Sequence, residues 1–261
     1  MSLDISWLGF TFLDWIACII FLLAWIGYSR FAVHKSKTTP TIMSALRQHR
    51  HNWMWNATTQ LRAGNPRDII ALSSFDRTVS FFASTTILIL AGLLTLLGSS
   101  EKIASIMSSL HFASNTGLAQ IQAKISLIIF LFVHAFFKFC WSMRCYNFLI
   151  TLLGSIPMKF VKQGEGEEAP FEEIDQWSQQ AGGIMNSASH HFNLGLRAYY
   201  FALAILAWFI HPMLFILANI LVVAVLYRRD FKSQVLGYLH SSLSENLHTK
   251  IKNEVDDNNS K

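Results

Sequence analysis

Four long stretches of the chain are almost wholly apolar, and the polar residues between them fall in blocks. A helix needs about 20 apolar residues to cross a hydrocarbon core about 30 Å thick. Three stretches meet that requirement directly, over residues 7–28, 79–98 and 125–147. The fourth, Ala198 to Tyr227, is too long for one untilted span and carries His211-Pro212 at its middle. Proline is pre-organised for the first position of a helix, where its missing N–H costs nothing. The stretch therefore reads either as one kinked helix or as two helices, over 192–210 and 212–228.

The distribution of basic residues decides between the two. Cytoplasmic loops of membrane proteins carry an excess of Lys and Arg. With the N-terminus outside, the block from Arg30 to Arg77, with eight Lys and Arg, lies inside. Five spans then place seventeen such residues inside and two, Lys102 and Lys124, outside. Four spans would leave the basic tail beginning at Arg228-Arg229 outside. The expected fold is all-α, a polytopic bundle of five transmembrane helices with its C-terminus cytoplasmic, forming one domain over 1–239. The polar segment 240–261 reads as a disordered tail.

The inner blocks have their own periodicity. From Thr41 to Arg62, Ile42, Leu46, Trp53 and Ala57 share a helical stripe, with Arg47, His51 and Arg62 opposite and Arg50 at its edge. Such a helix either lies on an anionic leaflet or packs beneath the bundle. Gly64-Asn65-Pro66 breaks the chain, with Asn65 as N-cap. A second helix is expected to run unbroken to Gly98, ~50 Å at 1.5 Å per residue, with Asp76-Arg77 at its membrane mouth. Gly164 to Ala169 reads as a flexible loop. Ile174, Ala181, Met185, Ala188 and Phe192 then repeat at helical spacing into the fourth span. Within the second span, Ser80, Ser84, Ala91 and Thr95 form a small-residue stripe suited to close helix packing. Trp7, Trp208, Tyr199 and Tyr227 fall near span ends, where aromatic belts belong.

Composition agrees with this reading. Hydrophobic residues are 52% of the chain and charged residues 14%, against roughly 25% charged in soluble domains. The net charge of +5 comes largely from residues flanking the apolar runs, and no nucleic-acid-binding module is present. Cys18, Cys140 and Cys145 form no CxxC, so neither zinc nor a disulfide is expected. No Lys or Arg precedes the first apolar run, so that span is expected to stay as an anchor rather than be cleaved as a signal. Neither GxSxG nor a phosphate-binding glycine loop occurs, and no His pair has the i,i+4 spacing of a metal site. An enzyme is disfavoured and no cofactor or metal is expected.

Ionisable groups inside spans are costly and mark function by default. Asp14, His134, Lys138 and Arg144 qualify, Arg144 as an orientation anchor at the inner boundary. By helical rise, Asp14, His134 and Asn219 lie at similar depths, within reach of the Lys138 stem. This quartet is a candidate intramembrane relay for protons or ions, with structural pairing and snorkelling of Lys138 as the alternative. Arg47, Arg50, Arg62 and Arg197 are candidate contacts for lipid headgroups or anions, with His190, His191 and Asn193 beside Arg197. The leading functional expectation is a channel or transporter-like protein, and the alternative is a structural or accessory subunit of a membrane complex. The expected partners are the bilayer, anionic lipids, and further copies or other membrane proteins, since five helices seldom enclose a pathway alone. The expected location is a multi-pass position in a membrane, in a bacterium the inner one.

Several motifs carry a resemblance. Arg50-His51-Asn52-Trp53-Met54, Val79-Ser80-Phe81-Phe82-Ala83-Ser84-Thr85-Thr86, Phe136-Phe137-Lys138-Phe139, Arg144-Cys145-Tyr146-Asn147-Phe148, Gly195-Leu196-Arg197-Ala198-Tyr199-Tyr200 and Leu226-Tyr227-Arg228-Arg229 resemble a family of bacterial and plant membrane proteins, domain of unknown function 599. The resemblance covers roughly residues 8 to 239. It implies an integral membrane protein and assigns no activity and no catalytic residue.

Overall fold

The computed structural model describes residues 9–35, 39, 41–59, 66–109, 117–156, 160, 171–239 and 241–242. The expected Asn65 cap, Arg62, the 164–169 loop and nearly all of the polar tail lie outside the described residues, as does Trp7. Helices dominate, and no strand occurs among the described residues. Helix α1 runs over Phe12–Lys35 and contains one wide π turn, Leu23–Gly27. Then follow α2 (Ile42–Thr59), α3 (Pro66–Gly98), α4 (Ser100–Ser109), α5 (Leu118–Gly154), α6 (Phe171–Leu206, extended by a 3₁₀ turn at Ala207–Phe209) and α7 (Pro212–Phe231). A short helix over 234–239 follows α7.

Five of these helical segments are long and apolar enough to cross a membrane. The division at His211-Pro212 is the predicted one. His211 is extended at φ −158°, and its Nδ1 accepts the Met213 N–H at 3.1 Å. Pro212 then starts α7 at the position where it loses no hydrogen bond. The unbroken α3 from Pro66 to Gly98 is likewise the expected helix.

The bundle is built around α5, which packs along both α3 and α6, while α1 packs on α7. Two apolar clusters result. At the end rich in basic residues, Leu72, Val79, Ala83, Phe139, Leu149 and Met185 are buried together. Toward the other end, Phe21, Leu131, Phe201, Trp208 and Phe215 form the second cluster. Trp208 and Phe215 stack at 4.9 Å with only 8° between their planes. Phe139 reaches α6 because residue 195 is glycine: a Cβ there would come within 2.4 Å of the Phe139 ring edge.

Two sequence expectations are settled by packing. The buried ridge of α3 is Leu72, Val79, Ala83 and Thr86, and not the Ser80, Ser84, Ala91, Thr95 stripe. Ser84, Ala91 and Thr95 are exposed, and the Thr95 hydroxyl donates to its own helix at Ala91 O, 3.0 Å. The larger apolar ridge takes the interface, and its Thr86, which also bonds back to Phe82 O, meets the Tyr199 hydroxyl of α6 at 2.7 Å. Helix α2 packs on the basic-end half of α6, with Ala45, Met54, Ala57 and Thr58 buried. Trp53 donates to Asp68 at 2.7 Å, and His51 meets Asp175 at 3.3 Å. The two helices run close here, a Cβ at Gly182 lying 3.4 Å from the His51 backbone, an ordinary contact distance. Helix α2 thus packs against the bundle, one of the two arrangements expected of it.

Candidate functional site

Thr11 caps α1 reciprocally with Asp14, its hydroxyl and amide both donating to Asp14 Oδ2, at 2.7 and 2.9 Å. The other carboxylate oxygen accepts the Trp208 indole N–H at 2.6 Å. Trp208 therefore serves as a polar strut, 2% exposed, and is not the belt residue its position near a span end predicts. Its carbonyl accepts from Lys124 Nζ at 3.0 Å, and the ammonium lies 5.1 Å from the indole centroid. Lys124 is 1% exposed and is the cation that acts on Asp14.

The expected quartet does not meet in one place. Among the described residues no hydrogen bond or ion pair joins any two of Asp14, His134, Lys138 and Asn219. His134 lies edge-on to Trp25 of the π turn, 5.4 Å between centroids, and feels the charge of Lys138 one turn on. Lys138 in turn acts on His190 of α6, toward the basic end. Asn219 donates to Phe215 O in its own helix at 2.8 Å, and its Oδ1 is buried without a donor. Helical rise places such residues at matching depth, but depth does not fix which face of the helix looks at which neighbour. That choice was made by the packing of Phe21, Trp208 and Phe215.

The second polar assembly lies at the basic end. Asp230 of α7 accepts from Arg197 of α6 at 2.8 Å and from the Tyr28 hydroxyl of α1 at 3.0 Å. Arg229 approaches the same carboxylate at 3.5 Å. The Arg197 guanidinium also lies over the Tyr28 ring, 5.2 Å from its centroid. One aspartate thus ties three spanning helices together.

Beside this tie is a cavity of about 530 Å³ between α1, α2, α6 and α7. Arg47, Arg197 and Arg229 line it, with Asn186, His190 and Asn193. Three arginines and one carboxylate, Asp230, thus line it, with the Arg229 guanidinium turned to Tyr200, 5.6 Å from the ring centroid and 3.4 Å from its hydroxyl. Arg197 is 9% exposed, and its Nε is buried without a partner. Of the basic residues named from the sequence, Arg47 and Arg197 face this space. Arg50 stands behind it, donating to Asn186 at 2.8 Å. Burial lowers the pKa of Arg50, with Tyr146 opposing and Arg47 adding to the shift, yet an arginine keeps its charge at any physiological pH. Arg229, Asn186 and Asp230 were not singled out by sequence. The basic pair Arg228-Arg229 marks only a span end, and nothing in its spacing shows that one of the two lines a cavity with residues of α2 and α6.

No group of three or more His, Cys, Asp or Glu able to hold a metal occurs among the described residues. The three cysteines are free. No curated protein and no solved structure matches the chain. A family model described as "Protein of unknown function, DUF599" matches residues 16–235, which include every spanning helix in whole or nearly so. The chain belongs to the DUF599 family, a multi-pass membrane protein with five spanning helices.

Proposed function

We propose that this protein is a membrane-embedded binder of the channel or transporter class, whose ligand is an anionic, phosphate-bearing amphiphile held at the basic-end cavity. One observation carries the reading: Arg47, Arg197 and Arg229 line one cavity, and its single carboxylate, Asp230, is already shared by Arg197, Arg229 and Tyr28. Guanidinium forks match phosphate oxygens and hold them in two parallel hydrogen bonds. Asn186, Ser187 and Asn193 add neutral polar side chains to the same wall. The positive-inside rule turns this end toward the cytoplasm, which puts the cavity at the level of the inner headgroups. In a bacterium this membrane is the inner one.

The test uses the purified full-length chain and two lipids of equal chain length, phosphatidylglycerol and phosphatidylcholine. Native mass spectrometry is expected to retain phosphatidylglycerol on the protein and to lose phosphatidylcholine. Arg47→Gln, which removes the one guanidinium of the three with no partner among the described residues, should lower retention several-fold. Inorganic phosphate as competitor separates a headgroup from a free phosphate as the ligand. Equal retention of both lipids would overturn the proposal. In reconstituted vesicles, faster movement of labelled phosphatidylglycerol between leaflets supports a transporter. Binding without such movement supports the accessory-subunit reading.

A further inference from the structure

Charge balance separates the phosphates that the basic-end cavity can hold. Helix α2 contributes Arg47 to its wall, α6 contributes Arg197, and α7 contributes the adjoining Arg229 and Asp230. Asp230 lies 2.8 Å from Arg197 and 3.5 Å from Arg229, so these three residues together leave one positive charge. Arg47 is exposed, shares no carboxylate among the described residues, and adds a second. No other carboxylate lines the space. Behind the wall, Arg50 donates to Asn186 Oδ1 at 2.8 Å, which adds a further cation and leaves the Asn186 NH2 to donate. His190, also on the wall, has Arg197, His191 and Lys138 as its charged neighbours, all of them basic.

A phosphodiester carries one negative charge and would leave one cation of the wall uncompensated. A terminal phosphomonoester ionises a second time at about pH 6 and carries nearly two charges above it. It also keeps three unesterified oxygens as acceptors where a diester keeps two. The wall includes Ile42, Met43, Leu46 and Phe231, and beside such apolar groups an added charge acts far more strongly than in water. Two phosphodiesters would bring the same charge as one monoester, but they would repel each other within one space of about 530 Å³.

We infer that the basic-end cavity selects a terminal phosphomonoester over a phosphodiester. The inference rests on the reading of this cavity as a phosphate site and adds the class of phosphate to it. Arg47 is the residue that sets the selection, because it is the cation that Asp230 does not share.

The experiment is native mass spectrometry of the purified full-length chain at pH 8. Phosphatidic acid is compared with phosphatidylmethanol, its methyl diester, and with phosphatidylcholine as baseline, all with the same acyl chains. Phosphatidic acid is expected to be retained about tenfold better than phosphatidylmethanol. Arg47→Gln should lower that ratio several-fold, and Arg47→Lys, which keeps the charge, should preserve most of it. Glycerol 3-phosphate as competitor locates the source of the group. If it displaces phosphatidic acid the monoester comes from solution, if not from lipid, and both results support the selection. Equal retention of phosphatidic acid and phosphatidylmethanol, both above phosphatidylcholine, would overturn the selection and leave the phosphate reading standing. Retention of both at the phosphatidylcholine level would overturn the two together. A ratio unchanged in Arg47→Gln also overturns the inference, as does cardiolipin, with its two diester phosphates, retained above phosphatidic acid. The wild-type ratio needs no variant, so it decides even where Arg47→Gln does not fold.

Discussion

The indole N–H of Trp208 donates to Asp14 at 2.6 Å, while the carbonyl of the same residue takes the Lys124 ammonium at 3.0 Å. One residue in the closing turn of α6 thereby bridges α1 and α5 and holds opposite charges on its two polar ends. Both ionic residues are buried, Asp14 at 5% and Lys124 at 1% exposure. Removing one partner of such a pair costs far more than removing both, because the survivor is left uncompensated.

The first prediction follows from that asymmetry. Asp14→Asn and Lys124→Met should each lower stability by a few kcal/mol, about 3 where the survivor finds no other partner. The double variant should cost clearly less than the two losses added. Asp14→Asn combined with Lys138→Met should instead be additive. Denaturation in detergent of the three single variants, Lys138→Met included, and the two double variants checks both statements.

Asp230 is the acceptor shared by Arg197 and Tyr28. Asp230→Asn keeps the shape and removes the charge, leaving Arg197 as a buried cation with weakened partners. A stability loss of about 3 kcal/mol is expected, visible as a fall in thermal midpoint. Tyr28→Phe deletes one hydrogen bond and should cost nearer 1 kcal/mol. A smaller loss for Asp230→Asn than for Tyr28→Phe would remove Asp230 from the centre of the tie.

Gly195→Ala places a methyl group 2.4 Å from the ring of Phe139, which is wholly buried. Overpacking of this kind costs about 1–3 kcal/mol. A second substitution, Phe139→Leu, withdraws the ring and should restore part of the loss, although it is itself destabilising. Thermal unfolding of the two single variants and the double variant measures the coupling, which should be favourable.

Orientation is checked separately. A reporter fused after Lys261 should be cytoplasmic, since five spans carry seventeen basic residues to that side and two to the other. A signal from the opposite side would reverse the orientation and place the cationic cavity outside.

The chain by itself determined the number of spanning helices and the break at His211-Pro212. Each of these rests on local physics: apolar length against bilayer thickness, and a proline that starts a helix without losing a bond. The length of α3 and the helical nature of α2 were legible in the same way. Only the tertiary structure decided which faces meet. Ser80, Ser84, Ala91 and Thr95 have the right spacing for an interface, yet Leu72, Val79, Ala83 and Thr86 occupy it. Lys124 sits near a helix beginning and counts in a sequence reading only as one of two basic residues outside, but packing turns it beneath Trp208 as the cation opposite Asp14. Arg47, Arg197 and Arg229 are separated by long stretches of sequence, and Asp230 adjoins Arg229, so no periodicity announces that they surround one space. In a membrane every helix is apolar on most sides, so hydropathy reports that a segment spans and says little about its rotation. Rotation is set by the shape and hydrogen bonding of a few residues, such as Gly195 against Phe139 and Trp208 against Asp14, and these contacts exist only once the helices are assembled.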